Sequence, residues 1–322
     1  MNFLCICLSP AIDATVRMNA WPTDGCVIKN AVDTFAPGGK GLNVARWLSV
    51  RGAKVACGGL LGEDNAVLFE KELAKYGIED RFVRIPGATR VNEMFVTSQG
   101  SFKVNRPAFP GFKAGEKLAS LGGLEILGSL EGLATTEKPG VVIFSGSLPK
   151  DWPVDIYRHL VTSAKAAGAK VVLDARGAAL VEGVKARPDV IKPNADECEA
   201  LVGFVPKTPD DFKRATAALK AVCDFPIISD GGAGCWFDGE FVAAPKVDVL
   251  DTTAAGDTLL AEWCWQTFAA SAHSNIRTFE HSNISRWAVA AGSAACTMPG
   301  GEPPSLELVQ SLVRAGDERL ET

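Results

Sequence analysis

The sequence predicts an α/β protein with a mostly parallel β-sheet, and three observations support that prediction. Short apolar runs that are typical of buried strands recur along the 322-residue chain, for example at residues 3–8, 55–60 and 141–144. Segments with helical spacing of apolar residues lie between such runs, which is the order expected for parallel strands joined by helices. Two further segments, beginning near residues 14 and 89, alternate apolar and polar residues and predict exposed strand pairs outside that core.

Composition and charge exclude several classes of protein. The chain is 47% hydrophobic and 22% charged, which is usual for a globular protein, and its formal net charge is −5. It contains no basic run, so neither a nucleic acid nor an anionic membrane is expected as a partner. No apolar stretch reaches the roughly 18 residues that a membrane span requires. No Lys or Arg precedes Arg17, so a secretory signal is not expected.

The cysteines and histidines predict neither a disulfide framework nor a zinc site. The nine cysteines occur singly, their number is odd, and no C-x-x-C spacing is present. This usage is typical of reduced thiols in a cytoplasmic protein. The three histidines, His159, His273 and His281, lack metal-ligand spacing, which disfavours a zinc hydrolase or a histidine-based triad.

Residues 251–257, with the sequence DTTAAGD, are the strongest candidate for a catalytic site. They follow an alternating run and precede a helical pattern, so small residues lie where a loop enters a helix. Backbone N–H groups of Ala254, Ala255 and Gly256 can converge there on an anion. Asp257 is then a carboxylate beside an anion site, which suits deprotonation of a hydroxyl during phosphoryl transfer. An ordinary helix start, with Asp257 favoured by the helix dipole, is the alternative.

A second glycine-rich stretch, residues 36–46, predicts a loop whose backbone approaches a ligand. Gly38, Gly39 and Gly41 surround Lys40, and a helical pattern follows directly. The spacing is not that of a Walker A loop. A plain turn explains the glycines equally well.

Polar groups in the two exposed segments are candidates for binding a sugar phosphate. Asp13 follows the first strand, at the edge where open α/β sheets bind ligands, and its carboxylate suits a vicinal diol. Lys29, Arg90 and Arg106 lie in the alternating segments and together predict a cationic clamp for a substrate phosphate. Turn formation by Asp13 and solubilising charge at the three cations are the alternatives.

Two loops at strand ends are candidates for binding a nucleotide and a metal ion. Asn194 and Glu197 begin a helix, and this pair can order water around Mg²⁺. The same pair can form a capping box, and the two roles are compatible. Residues 230–234 follow the next strand and are either a turn that binds nucleotide phosphates or ribose, or a simple hairpin turn.

Together these stretches resemble the ribokinase-like PfkB carbohydrate kinase family over almost the whole chain. Residues 38–45 and 251–257 are similar to its two signatures and occur in the family's order, with Lys192, Asn194 and Glu197 between them. Within the family, the chain is most similar to the phosphosugar branch, which includes 1-phosphofructokinase, tagatose-6-phosphate kinase and the minor 6-phosphofructokinase. Four segments carry this finer similarity: residues 8–13, 58–65, 89–92 and 145–149.

The resemblance implies a specific architecture. It predicts a ribokinase-like three-layer α/β/α core with a mostly parallel sheet, and a small β-sheet lid inserted as two strand pairs. Residues 1–322 would form a single kinase domain with lid segments at approximately 13–35 and 89–107. The lid would close over the sugar and serve as the contact of a homodimer.

The resemblance also implies a role for each candidate residue. Asp257 would be the catalytic base, and Ala254, Ala255 and Gly256 would form the anion hole with it. The expected sugar-binding residues are Asp13, Gly38, Gly39, Lys40 and Asn43, with Arg90 and Ser147 near the substrate phosphate. The expected ATP-binding residues are Lys192, Asn194, Ser229, Gly231 and Gly234, and Asn194 and Glu197 would order Mg²⁺ through water.

One departure concerns Ala254, because the phosphosugar branch usually has glycine there and ribokinase-type members have alanine. A methyl group is small, so the nest of N–H groups is retained if the φ angle of Ala254 stays negative. Asp230 is a second departure, since it places an acidic side chain beside the expected nucleotide turn.

The function implied is ATP- and Mg²⁺-dependent phosphorylation of a sugar phosphate, with D-fructose 1-phosphate as the first expected substrate. Fructose 6-phosphate and tagatose 6-phosphate are the alternatives within the class. A ribokinase- or fructokinase-type enzyme that acts on an unphosphorylated sugar is a further alternative. A sensor that binds a sugar phosphate without turnover is the alternative from a different class.

Overall fold

The computed structural model describes residues 2–29, 31–108, 128–133, 140–269 and 281–318. The strands in these ranges form two separate sheets, one of nine strands and one of four. No helix in the same ranges is long and apolar enough to cross a membrane.

The larger sheet is mostly parallel, as predicted. Its strands are β1 (Asn2–Cys7), β4 (Lys54–Gly62), β5 (Glu79–Ile85), β8 (Val141–Ser145), β9 (Lys170–Asp174), β10 (Val190–Ile191), β11 (Phe225–Asp230), β12 (Gly234–Phe237) and β13 (Glu240–Ala243). Their order is β13-β12-β11-β10-β9-β8-β1-β4-β5. The strands from β11 to β5 pair in parallel, and β12 and β13 add an antiparallel edge. The interiors of the central strands are apolar because both of their faces are covered, and polar residues such as Ser145 and Asp174 lie at strand ends.

Helices cover both faces of this sheet, which confirms the three-layer α/β/α core. The helices are α1 (Lys40–Val50), α2 (Val67–Lys75), α3 (Ile156–Ala166), α4 (Gly177–Gly183), α5 (Ala195–Val202), α6 (Pro209–Leu219), α7 (Ala255–Cys264), α8 (His281–Ala295) and α9 (Leu306–Glu318). Side chains of α1, α2, α7, α8 and α9 join one buried cluster. Side chains of α3 to α6 join a second cluster on the opposite face. The large sheet therefore separates two hydrophobic cores.

The smaller sheet contains the strands β2 (Ala11–Arg17), β3 (Val32–Gly38), β6 (Val91–Thr97) and β7 (Gly100–Val104), in the order β3-β2-β6-β7. Strands β2 and β3 come from one segment of the chain and β6 and β7 from another. Between β2 and β3, the residues from 18 to 31 that the structure describes form no strand. Strand β2 begins directly after β1, so the small sheet lies at the carboxyl edge of the large one.

The two faces of the small sheet differ in chemistry. Neighbouring residues of a strand point to opposite faces. Asp13 and Asn92 are register partners on β2 and β6, and they share the inner face with Lys103 of β7. Phe102 lies on the outer face, where it stacks on Phe95 with a centroid distance of 4.9 Å. The inner face is polar, and the outer face is aromatic.

Candidate active site

A cavity of about 300 Å³ lies at the carboxyl ends of the central strands, between the large sheet and the small one. Its walls are the loops after β1, β8, β9 and β10, the beginnings of α1 and α7, and the inner face of the small sheet. Ligands of open α/β sheets bind at this position. The predicted site residues that line the cavity are Asp13, Gly39, Lys40, Asn43, Arg90, Ser147, Lys192, Ala254, Gly256 and Asp257.

Asp257 is a buried carboxylate in the first turn of α7, and its side chain is held in place by α1. The amide nitrogen Nδ2 of Asn43 donates a hydrogen bond of 2.8 Å to Oδ2 of Asp257. Burial and the nearby charge of Asp174 raise the pKa of Asp257, although Lys40 and Asn43 act in the opposite direction. The result is a fixed carboxylate with an increased proton affinity, which suits a general base.

The backbone before Asp257 forms an anion-binding concavity. Ala254 has φ 69° and ψ −2°, which is the left-handed region, and the right-handed helix α7 begins at the next residue. Successive residues of opposite hand turn their N–H groups toward one point, an arrangement known as a nest. The N–H groups of Gly256 and Asp257 are in the first turn, where a helix provides no carbonyl partner. The condition that φ of Ala254 stays negative is therefore not met, and the positive angle itself forms the nest.

We expect Ala254→Gly to stabilise the protein by about 0.5–1 kcal/mol, because a left-handed conformation is strained for alanine and unstrained for glycine. The matched control is Ala255→Gly, one residue further along in the right-handed helix α7. That control should destabilise by about 0.5–1 kcal/mol. Urea unfolding of both variants measures the two changes. Destabilisation by Ala254→Gly would contradict the strain argument.

Asp174, at the end of β9, connects Lys40 and Lys192, two of the three lysines that line the cavity in the described ranges. Its carboxylate lies 3.2 Å from Nζ of Lys40 and 3.3 Å from Nζ of Lys192, and the residue is only 1% exposed. Burial alone would raise the pKa of Asp174, but the two ammonium groups outweigh burial and lower it. Burial likewise disfavours the charged form of Lys40, but Asp174 and Asp257 outweigh it and raise its pKa to about 12. Lys40 is therefore held as a cation, and Lys192 shares the same buried carboxylate.

Lys192 also lies beside the anion hole. A Cβ atom added to Gly256 would be 3.3 Å from Nζ of Lys192. The ammonium group thus faces the backbone of the first turn of α7, and a larger residue at position 256 would crowd it. This arrangement places a positive charge and free N–H groups around the same point.

Close approach to neighbouring groups explains the glycines before α1. Gly39 has φ 131°, and a Cβ atom there would lie 2.6 Å from Sγ of Cys7. A Cβ atom at Gly38 would overlap the carboxylate of Asp13. Gly38 therefore lies behind Asp13 rather than in the cavity wall, and its role is to make room for that carboxylate.

Asp13 is positioned on the inner face of the small sheet by two neighbouring strands. Asn92 donates a hydrogen bond of 3.1 Å to Oδ1 of Asp13, and Nζ of Lys103 lies 3.5 Å from the same oxygen. The second carboxylate oxygen remains available to the hydroxyl groups of a ligand. Among the residues that the structure describes, Asp13 and Asp257 are the two carboxylates that line the cavity.

The predicted grouping of Lys29, Arg90 and Arg106 differs from what the structure shows. Arg90 lines the cavity, whereas Arg106 forms an exposed ion pair of 2.6 Å with Glu93 on the outer face of the small sheet. Lys29 lies in the connection between β2 and β3 and lines a different cavity. Strand alternation explains Arg106, since an odd or even position decides which face a side chain reaches.

The residues expected to bind the nucleotide lie together at the ends of β10 and β11. Asn194 and Ser229 form a parallel bridge, and the N–H of Ser229 donates to the carbonyl of Pro193. Gly231 and Gly234, both with positive φ, enclose a short 3-10 turn between the antiparallel strands β11 and β12. The hairpin alternative is therefore present. Asn194, Ser229, Gly231 and Gly234 are not among the residues that line the cavity.

Asn194 and Glu197 form a capping box at the start of α5. The side chain of Asn194 accepts a hydrogen bond of 2.7 Å from the N–H of Glu197, and Oε2 of Glu197 accepts one of 3.0 Å from the N–H of Asn194. This fixes both side chains and leaves Oε1 of Glu197 without a role in the cap. No group of three or more His, Cys, Asp or Glu residues in the described ranges has the geometry of a direct metal site.

Four residues with charged or amide side chains around the cavity had no predicted role: Asn92, Lys103, Asp174 and Arg176. Asp174 is the last residue of β9 and Arg176 comes two residues later, so the rule that pointed to Asp13 applies equally to them. The position of Lys103 on the inner face could be predicted only by pairing β7 with β6 in the correct register. That register depends on tertiary contacts that a single sequence does not display.

Comparisons with known proteins agree with this geometry. The model of the pfkB family of carbohydrate kinases matches residues 8–304. A 1-phosphofructokinase of Vibrio cholerae is 32% identical over 317 residues, covering 96% of this chain and 95% of that protein. One of Xanthomonas campestris is 34% identical over 277 residues, covering 81% of this chain and 82% of that protein.

Solved structures share the fold over nearly the whole length. Phosphofructokinase-2 from Escherichia coli, in complex with substrates and products, has a TM-score of 0.80 at 21% identity, covering 98% of this chain and 99% of that one. Ribokinase from Arabidopsis thaliana, complexed with ribose and ATP, has a TM-score of 0.71 at 24% identity, covering 97% and 98%. The ribokinase-like fold is thereby confirmed. With a family model that spans most of its length, this chain belongs to the PfkB family of carbohydrate kinases.

Proposed function

We propose that this kinase transfers the γ-phosphoryl group of ATP to D-fructose 1-phosphate and forms fructose 1,6-bisphosphate. The observation that carries the proposal is the buried carboxylate of Asp257, which lies beside a backbone anion hole in a cavity lined by five cationic side chains. The curated relatives at 32–34% identity are 1-phosphofructokinases, and this supports the choice of acceptor.

In the proposed reaction, Asp257 accepts the proton of the acceptor hydroxyl. The oxygen then forms a bond to the γ-phosphorus while the bond from that phosphorus to the β,γ-bridging oxygen breaks, and ADP leaves with the electron pair. Negative charge on the transferred group is stabilised by the N–H groups of Gly256 and Asp257 and by Lys40 and Lys192. The N–H of Ala255 instead donates to the carbonyl of Thr252. Asn43 orients the base through its hydrogen bond, and Asp13 binds hydroxyl groups of the sugar.

The nucleotide would bind over the ends of β10 and β11, where Lys192, Asn194, Ser229, Gly231 and Gly234 lie. Glu197 has one carboxylate oxygen outside its capping box, which fits a water-mediated contact to Mg²⁺. When bound, Mg²⁺ would neutralise charge on the phosphates. Asp230, whose pKa is raised by burial, lies next to the turn and is better suited to a ribose hydroxyl than to a phosphate.

We also propose that the chain is a single kinase domain in which the small sheet is a lid, with lid segments at approximately 13–35 and 89–107. Closure would exclude water from the cavity and limit hydrolysis of ATP. The outer face of the lid exposes Phe35 by 57% and Phe102 by 51%. Aromatic side chains at such exposure favour an interface, so we infer a homodimer that forms through this face.

We expect Phe35→Glu to convert the dimer to monomer, because a carboxylate would be desolvated at the centre of the interface. The matched control is Val67→Glu, an exposed apolar residue on α2 outside the lid. Light scattering coupled to size-exclusion chromatography measures the mass of each. A mass that is unchanged by Phe35→Glu, or a monomeric wild type, would contradict the proposed interface.

The proposed substrate is tested by comparing acceptors in an ADP-release assay with MgATP. The acceptors are fructose 1-phosphate, fructose 6-phosphate, tagatose 6-phosphate, fructose, ribose and adenosine. We expect kcat/KM to be highest for fructose 1-phosphate by at least about ten-fold, or about 1.4 kcal/mol of differential transition-state binding. A preference for another sugar phosphate would change only which sugar phosphate is the acceptor, and the proposed reaction class would stand. A preference for an unphosphorylated acceptor would refute the proposal.

The free cysteines support a reducing compartment as the location of this kinase. All nine lie in the described residues and none forms a disulfide. Burial raises the pKa of the thiol of Cys7, which lines the cavity, to about 11, so this group stays protonated. We therefore propose that the kinase acts in the cytosol.

A further inference from the structure

Arg176 is a cationic side chain of the cavity that has no counter-ion among the described residues. It follows β9 directly, lines the cavity and is exposed to solvent. Its side chain makes no hydrogen bond or ion pair with any residue that the structure describes. An arginine that faces a cavity without a partner retains all five N–H donors for a ligand.

The other four cations that line the cavity are already engaged. Lys40 and Lys192 share the carboxylate of Asp174. Lys103 lies 3.5 Å from the carboxylate of Asp13. The guanidinium group of Arg90 makes three hydrogen bonds to backbone carbonyl groups. The unpaired charge is thus concentrated at Arg176 and, because carbonyl groups carry no net charge, at Arg90.

Arg90 and Arg176 approach the cavity from opposite sides. Arg90 precedes β6 of the small sheet, and Arg176 follows β9 of the large one. Burial lowers the pKa of Arg90; Cys7 and Asp13 act in the opposite direction, and the positive charge of Arg176 adds a smaller lowering, so the two guanidinium groups interact electrostatically. Within the described ranges, no carboxylate that lines the cavity is paired with Arg176. Two like charges held in this way indicate a site for an anion of at least two charges.

The position of β9 limits which anion this is. In the large sheet, β9 lies between β8, whose loop carries Ser147, and β10, after which Lys192 comes. Asp174 already uses the β10 side of this strand end to hold Lys192. Arg176, two residues later, lines the same cavity as Arg90 and as Asp13 of the small sheet, one of the proposed sugar-binding groups.

We propose that Arg176 is a specificity-determining residue that binds the phosphate group already present on the acceptor sugar, together with Arg90. This inference rests on the proposed function, in which the acceptor is a sugar phosphate. A guanidinium group can bind two phosphate oxygens at once, which an ammonium group cannot do. Arg176 and Arg90 therefore take the role that the sequence had suggested for Lys29, Arg90 and Arg106.

The test compares Arg176→Gln and Arg176→Lys with the matched control Arg214→Gln. Arg214 is an exposed arginine on α6, outside the cavity. We expect Arg176→Gln to raise KM for fructose 1-phosphate by about ten-fold or more, as expected for loss of a charged hydrogen bond. KM for MgATP, and kcat/KM for unphosphorylated fructose, should remain within about two-fold. Arg176→Lys should be intermediate, and Arg214→Gln should match the wild type.

Two results would overturn this inference. If KM for fructose 1-phosphate is unchanged in Arg176→Gln, the residue does not bind the acceptor. If KM for MgATP rises instead, Arg176 contacts the nucleotide. Failure of the proposed function is a separate outcome, because it appears in the wild type as a preference for an unphosphorylated acceptor.

Discussion

Replacing Asp257 by Asn is expected to lower kcat by about 10²- to 10⁴-fold, which is the usual contribution of a general base. Asparagine preserves the shape of the side chain but cannot accept the hydroxyl proton. Its amide still lies within reach of Asn43, so the cavity should keep its shape and its affinity for the sugar phosphate. Steady-state kinetics and calorimetric binding of fructose 1-phosphate measure the two properties. A sugar-phosphate sensor does not need a catalytic base. If Asp257→Asn changes neither the steady-state kinetics nor the binding of fructose 1-phosphate, that alternative is favoured.

Folding stability separates a catalytic loss from a structural one. Because burial raises the pKa of Asp257 in the folded state above that in the unfolded state, ionisation costs stability as pH rises through that interval. Asp257→Asn removes this cost, so its stability at neutral pH should equal or exceed that of the wild type. Asp248→Asn, an exposed change in the loop before α7, is the matched control and should alter neither property.

Replacing Asp174 by Asn is expected to destabilise the protein by about 3 kcal/mol or more, because it leaves the buried Lys192 and the partly buried Lys40 without their shared counter-charge. Activity should fall as well, since Lys40 and Lys192 would repel each other and leave the anion hole. Urea unfolding measures the first effect and the ADP-release assay the second. A variant as stable as the wild type would show that solvent, rather than Asp174, compensates the lysines.

A double variant distinguishes charge balance from shape. Asp174→Asn combined with Lys192→Met removes one negative and one positive charge, so the remaining charge near Lys40 is lower than in the single variant. We expect the double variant to recover part of the lost stability and none of the lost activity, because Lys192 stabilises the transferred phosphoryl group in the proposed mechanism. Recovery of activity would mean that Lys192 is dispensable.

The parts of the fold and site that depend on short-range patterns could be predicted. Buried strands are marked by apolar runs, and Asp257 is marked by the small residues that precede it in the chain. Asp13, Lys40, Asn43 and Asp257 were all assigned from the sequence, and all four line one cavity. These residues follow strand ends or begin helices, and the topology of an α/β sheet brings such positions together.

The parts that depend on register and on backbone angle could not be predicted. Arg106 and Lys103 are three residues apart on or next to β7, and only pairing with β6 decides which of them reaches the inner face. The φ angle of Ala254 is set by how the loop meets α7, whereas an alanine residue by itself favours negative φ values. The role of Asp174 could not be predicted because its partners, Lys40 and Lys192, are distant from it in sequence.

The alternation of polar and aromatic side chains in the lid also constrains how the length of the β6–β7 hairpin can change during evolution. Substitutions on either face of β7 affect that face alone. Deletion of one residue between β6 and β7 would shift the pairing by one position, carrying Phe102 into the cavity and Lys103 out of it. One event would then damage the polar surface and the aromatic surface together. Point substitutions should therefore accumulate in this hairpin, whereas changes in its length should be rare.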